Sequence, residues 1–348
     1  MRQYIALMRA NSSAVVDKLE ALKSATDALV TNPGEDTLSR AREAWLDSRP
    51  GYGQLEVGRF YNGPVDVVNG VANEWPVDEK FIDYTADDPT SGIINHTDEF
   101  PEITDQVLIA NDEVGGIENL STGFHAIEFL LWGQRLQQSD GPGDRPYTDY
   151  VDGGTAANQA RRRTYLQTAT EILLSDLTGV KDAWDVDDPD SYATRMVTVP
   201  PLVSLADIVR GMTSMAISEL YYERMSDPYL TQNRKDEESC FSESTQIDLA
   251  ANMLGVENVY LGRYGSVKGA SISDLVRASN PKLDDTLRKQ MQTTRGAIDA
   301  IPPPFDHAVI APEGSAPREA VKAALDTFVP MVDSFRQMAD LLDIKTNI

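Results

Sequence analysis

His125 and Glu128 stand three residues apart in "STGFHAIEFLLWG" (121–133), a stretch otherwise small or apolar. On a helix, positions i and i+3 share one face, so imidazole and carboxylate meet. Two chemistries are open to them. The pair is a buried hydrogen bond that orients a core histidine, or it is half of a metal site. A carboxylate among Phe124, Ile127, Leu130 and Leu131 is costly unless it is paired or binds a cation. Gly123, in a helical pattern, costs about 1 kcal/mol relative to alanine, and its presence suggests that something approaches closely.

A metal needs three or four protein donors, often with one open position. The other two histidines, His96 and His307, lie in the loop-like segments "IINHTDEF" and "PPFDHAVI" and read as solvated. Carboxylates are therefore the expected partners. Glu56, in "YGQLEVGRFYNGPVD", is the first candidate, and its plain alternative is an i,i+3 ion pair with Arg59. A third cluster, "ESCFSESTQIDL" (238–249), sets Ser242, Glu243, Gln246 and Asp248 around one phenylalanine. Ser244, Thr245 and Asp248 there fit a helix N-cap. A hydroxyl-lined helix start also suits an anion or small ligand.

Several chemistries drop out. There is no His-Glu-x-x-His, and the inverted His-x-x-Glu-His fails because Phe129 follows Glu128. Nucleophile-elbow, phosphate-cradling and dinucleotide motifs are missing, and a ferritin-type di-iron centre needs Glu-x-x-His on two helices. The single cysteine, Cys240, excludes an internal disulfide and a cysteine-rich zinc site. A net charge of −24, from 31 basic and 55 acidic residues, repels nucleic acid and anionic lipid and concentrates cations. No apolar run approaches the roughly 20 residues of a membrane span. The N-terminus "MRQYIALMRANSSAVVDKLEALKS" lacks a signal peptide's apolar core and reads as a helix of a mature domain, as in a cytosolic protein or an exported one without its leader.

The elements that position these residues read as helices. Val15, Leu19, Leu22, Ala25 and Leu29 recur at helical spacing until "TNPG" (31–34). A second helix opens at Glu35 and Asp36, with "SRPGYG" (48–53) expected to interrupt it. Residues 138–154 read as a long loop, followed by a helix of about 25 residues from Ala156 with a stripe at Tyr165, Leu166, Ile172, Leu173 and Leu177. "LADIVRGMTSMAISELYYERM" reads as a regular amphipathic helix and "DPYLTQNRKDEESCFSESTQ" as polar loop. The last helix, about 317–344, carries Pro330. Sustained period-two alternation is absent. The expected fold is all-α: two helical bundles packed together, 1–184 and 185–348, joined through the charged segment "DVDDPDSYA".

"GFHAIEFLLWGQ" resembles the Gly-x-His-x-x-Glu signature of the imelysin family, in particular its iron-regulated protein A branch. "AREAWLDSRPGYGQLEVGRFYNGPVD", "NEWPVDEKFIDY", "DGPGDRPYTDY" and "SCFSESTQIDLAANMLGVENVYLGRY" resemble further blocks of that branch, so the likeness runs from 41 to 264. It implies an all-helical protein with the motif near the interface of its two domains, exported to the periplasm or outer membrane and tied to iron uptake. It implies a cleft that holds a metal ion or metal-bearing small ligand, iron ahead of zinc, and partners in iron transport. The family carries a historical peptidase label, which the missing zinc-protease motif argues against; the alternatives are a non-standard metallopeptidase, with Glu128 as base or ligand, and a binder of an organic ligand without metal. By position, Gly123, His125 and Glu128 are the signature residues. The expected ligands are His125, Glu128 and Glu56, with Gly123, Arg59, Ser242, Gln246 and Asp248 around them. One departure stands out: the family's C-terminal block usually reads Cys-Phe-Ser-Asp-Asn-Thr-His-x-Asp, and here Glu243, Ser244 and Gln246 replace the Asp, Asn and His.

Overall fold

The computed structural model of the chain describes residues 1–135 and 141–345. The fold is all-α, as expected; the only strands among the described residues are the antiparallel pair Arg263–Tyr264 and Val267–Lys268. The expected loop at 138–154 lies partly, at 138–140, outside the described residues.

α1 (Arg2–Thr31) buries Tyr4, Ile5, Met8, Val15, Leu19, Leu22 and Leu29 along one stripe and packs on α2 (Glu35–Leu55). The expected break at 48–53 is not there, and α2 runs through Pro50. Ser48, Arg49, Tyr52 and Gly53 are buried around that proline, and Arg49 is ion-paired to Glu238 and Asp248. Those tertiary contacts hold a turn that proline alone would open. At Gly53 a Cβ would stand 2.8 Å from the Cβ of Ala251, so glycine is what lets α2 lie this close to α11 (below). A 3₁₀ turn, Glu56–Gly58, ends the helix and carries Glu56 into the interior. α3 (Pro64–Ala72) follows, its start held by Asp66, whose carboxylate accepts from the amides of Phe60, Tyr61 and Gly63. The short α4 (Glu79–Ile82) and α5 (Asp105–Asn111) interrupt a polar stretch.

All ten residues of α6 (Gly123–Trp132) are buried, as an apolar helix without a polar face must be. It packs against α2, α3 and α7 (Gln159–Ala183). Neighbouring side chains take its carbonyls: Trp45 Nε1 donates to Phe124 (2.9 Å), Arg42 Nε to Leu131 (3.0 Å) and the Tyr150 hydroxyl to Leu130 (2.6 Å). The helix that carries His125 and Glu128 is thus fixed along its length.

In the second half, α8 (Tyr192–Thr198) and α9 (Pro201–Ser214) lead into a π-helical segment, Met215–Ser226, and α10 (Asp227–Thr231). The regular helix expected over this stretch therefore changes its winding midway. The wider π turn sets residues five apart on one face, and Arg224 reaches Glu219 at 3.0 Å. α11 (Thr245–Leu261), α12 (Ile272–Ser279), α13 (Pro281–Asp299), α14 (Phe305–Ile310) and α15 (Ala316–Leu341) complete the fold, with Pro330 inside α15. α13 packs on α15, and α11 on both α13 and α2. α2 therefore lies between helices from both halves of the chain. The stretch 227–246, expected as polar loop, contains buried Glu237, Glu238, Ser239 and Phe241. The expected cap at the start of α11 is also corrected. Ser244 makes no capping bond, Thr245 Oγ1 accepts from the Ser239 amide, and Asp248 serves Arg49 and Ser239. Tertiary partners have outcompeted the local turn for these side chains.

Candidate functional site

His125 Nδ1 lies 2.9 Å from Glu128 Oε2, with both side chains fully enclosed. Glu128 Oε1 accepts from the amide and hydroxyl of Ser242, at 2.8 and 2.7 Å. The third block of the sequence thus closes on the first. Burial holds His125 far below its ordinary range, at about 3, with the nearby Arg49 acting in the same direction. Burial raises Glu128 to about 7, although the Ser242 bonds oppose the rise. The pair is therefore not an imidazolium–carboxylate ion pair near neutral pH, close as its atoms are. It is a neutral imidazole beside a carboxyl group poised to lose its proton. Once Glu128 is ionised, Nδ1 carries the hydrogen and donates it, which leaves the Nε2 lone pair bare. Nε2 is buried with no hydrogen-bond partner. A histidine whose far nitrogen is free while a carboxylate holds the near one is the arrangement of a metal ligand with its orienting partner.

Glu56 belongs elsewhere. Its two oxygens are taken by Arg224 (2.7 and 2.9 Å), Asn252 (2.9 Å) and Asn73 (3.3 Å), with Arg59 at 3.4 Å. The i,i+3 pair expected as its plain alternative is present, but Arg224 is the nearer cation. Arg59 sits closer to Glu219, at 2.8 Å. Arg224 also binds Glu238 (2.7 Å), and Arg49 binds Glu238 (2.7 Å), Asp248 (2.8 Å) and Asn73 (2.5 Å). The guanidiniums keep Glu56 below its ordinary value despite complete burial, whereas burial lifts Glu238 to about 7. This cluster flanks the His125 pair, because Trp75 lies against both: its ring centroid is 6.3 Å from that of His125 and 4.8 Å from the Arg224 guanidinium carbon.

Two clefts reach side chains that touch the pair, Ser242 in one and Trp75 in the other. One, of about 880 Å³, runs between α2, α11 and α13; Ser242, Glu243 and Gln246 line it, with Leu46, Ala250 and Leu254 as apolar wall. The other, of about 480 Å³, is bordered by Trp75 and five carboxylates, Glu74, Glu219, Glu223, Asp227 and Asp236, with Arg59 among them.

Of the residues singled out in sequence, the structure joins His125, Glu128 and Ser242 directly. Glu56, Arg59 and Asp248 join one another through Arg49, Arg224 and Glu238. Gly123 is the first residue of α6, at φ +83°, and a Cβ there would come 2.7 Å from the carbonyl oxygens of Val71 and Ala72. What approaches it is α3 backbone. Gln246 donates to the carbonyls of Ile298 (3.3 Å) and Ile301 (2.6 Å), tying α11 to the end of α13. His96 is exposed, as expected. His307 is not solvated as expected; it is half-buried on α14 with its Nε2 enclosed, because α14 packs against α15. Arg49, Arg224, Glu238, Asn73, Asn252 and Trp75 were not found from sequence. The only trace was compositional: Glu238 opens the cluster "ESCFSESTQIDL", and Arg49 precedes a proline that fails to end its helix.

The family model described as Imelysin matches residues 8–328. Iron-regulated protein A of Synechococcus elongatus is 26% identical over 322 residues, covering 88% of this chain and 77% of that protein. Among solved structures, a protein of Parabacteroides distasonis described as an iron-regulated protein A precursor superposes with a TM-score of 0.74 at 19% identity, covering 98% of this chain and 95% of its own. An imelysin-like protein of Psychrobacter arcticum gives 0.67 at 14% identity, with 98% and 93% covered. At these identities the two structures speak to the fold alone.

Proposed function

The chain belongs to the imelysin family, and we propose that it is an iron-handling binding protein, with His125 Nε2 as the ligand atom and Glu128 as the carboxylate that orients it. The observation that carries this reading is the buried, unpartnered Nε2 whose ring is held from the other side by Glu128. The iron connection comes from the name of the Synechococcus relative. Neutral imidazole suits iron as well as zinc.

The fit of the expected donor set is partial. Glu56 is held by Arg224 and does not reach His125, and both Glu128 oxygens already accept hydrogen bonds. The pair alone offers one free nitrogen and one carboxylate that must exchange its partners. Iron is therefore cargo here, arriving with donors of its own as a small chelate, and the roomy cleft bordered by Ser242 has space for one. The five carboxylates beyond Trp75 add a field that concentrates cations near the same pair. Export to the periplasm or outer membrane, and transfer to iron-transport partners, belong to the same proposal.

The test is titration of protein purified without chelators, using ferrous iron, ferric iron and ferric citrate. Stoichiometric binding that His125→Ala abolishes supports the reading. Wild-type protein that retains no iron above background refutes it and leaves the cleft to a metal-free organic ligand.

A further inference from the structure

A second group of donors, which does not include His125, lies at the rim of the same cleft. Glu243, Asp306 and His307 each offer one ligand atom, and those three atoms lie within 4.8 Å of one another. It is the one such trio among the described residues. Glu243 comes from the turn before α11, Asp306 and His307 from α14. Asp306 is 1% exposed, with Oδ2 taken by Arg135 (2.8 Å) and Arg234 (3.1 Å). Its Oδ1 has no partner although it is enclosed, and neither has His307 Nε2. Arg135 also holds Glu243 and reaches Glu237 at 3.2 Å. Glu237 is buried too, and its Oε2 is a third enclosed polar atom without a partner.

These are features of a ligand shell rather than of a finished ion-pair network. Buried acceptors without donors are rare in folded proteins, because each costs desolvation that nothing returns. Burial, with Asp306 nearby, lifts the Glu237 carboxyl well above the usual carboxylate range, so Glu243 and Asp306 are the carboxylates that face Arg135 and Arg234. Both arginines bind Oδ2 of Asp306, which fixes the orientation of the carboxylate as outer hydrogen bonds do around metal ligands. Donors around a first-row metal sit about 2.0–2.2 Å from the ion, so trans donors are roughly 4.3 Å apart. A small closure of the half-buried Glu243 side chain is sufficient. Glu243 lines the cleft, which gives an ion a way in.

We propose that Glu243, Asp306 and His307 form a second cation site, one that takes a divalent first-row metal such as Mn²⁺ or Fe²⁺ and ties the Ser242–Ser244 turn to α14. One imidazole with two carboxylates selects such ions over Ca²⁺ or Mg²⁺, which prefer all-oxygen sets. The site is independent of the role given to His125. The experiment is Mn²⁺ titration of the full chain, read by the electron paramagnetic resonance signal of free Mn²⁺, in wild type, His307→Ala, Glu243→Gln and His125→Ala. Wild type is expected to bind Mn²⁺. His307→Ala and Glu243→Gln should each weaken binding at least about tenfold, while His125→Ala leaves this site intact. Both test variants change partly exposed side chains, and circular dichroism spectra confirm that they fold. No Mn²⁺ binding by wild type overturns the proposal, and so does binding unchanged in both variants or lost only in His125→Ala.

Discussion

Replacing Glu128 by glutamine tests the electrostatics of the site in one substitution. Burial raises the Glu128 carboxyl from its ordinary 4.5 to about 7. The folded chain therefore holds a proton that the unfolded chain has released between those values. The contribution is fully present below pH 4.5 and is lost as pH rises through about 7. At about 1.4 kcal/mol for each pH unit, the loss is about 3 kcal/mol by pH 8. Glutamine carries no charge to desolvate. Both Ser242 donors point at one oxygen of residue 128, so the amide oxygen of the variant stays there and its nitrogen faces His125 Nδ1. Part of that loss has already occurred by pH 5, so the stability difference, variant minus wild type, should become more favourable to the variant by about 2.5 kcal/mol between pH 5 and pH 8. Urea denaturation in the presence of chelator, at four pH values, measures it, and Glu238, which also sits near 7, cancels between the two proteins. A difference that is the same at pH 5 and pH 8 refutes the reasoning. The same variant should lose iron binding, because an amide donating to Nδ1 forces the hydrogen onto Nε2 and blocks its lone pair.

Two other substitutions probe what surrounds the pair. Arg224→Met removes the main counter-charge of Glu56 and Glu238, all fully buried, and should cost about 3–5 kcal/mol at pH 7 in urea denaturation. The loss should shrink at pH 5 as the stranded carboxylates take up protons, and a loss below about 1 kcal/mol at both pH values would show the cluster to be energetically idle. Gly123→Ala places a Cβ 2.7 Å from two backbone oxygens at φ +83°; the left-handed backbone alone costs about 1–2 kcal/mol, so thermal melting followed by circular dichroism should show a clear drop, and an unchanged midpoint would mean that α3 gives way.

Helical class, the long α1, α7 and α15, and the buried face of α6 were legible in the chain because apolar residues recur at helical spacing over several turns. His125 and Glu128 were legible as a pair because i,i+3 spacing is local geometry. Everything that gives the pair its character was decided by packing. Pro50 does not break α2, because Arg49 beside it is locked to Glu238 and Asp248 about 190 and 200 residues away. Glu56 looked free to bind a metal, yet a π-helical segment with no sequence signature sets Arg224 onto it. Gly123 suggested a close approach, and what it admits is the backbone of α3. His307 was read as solvated because its segment is rich in proline, and only the docking of α14 encloses it. Periodicity is a property of neighbours along the chain. The partner of a buried charge is a property of segments that meet only after folding, so the sequence alone determined the helices and the pair, while the tertiary structure chose which carboxylates face arginines and which nitrogen remains bare.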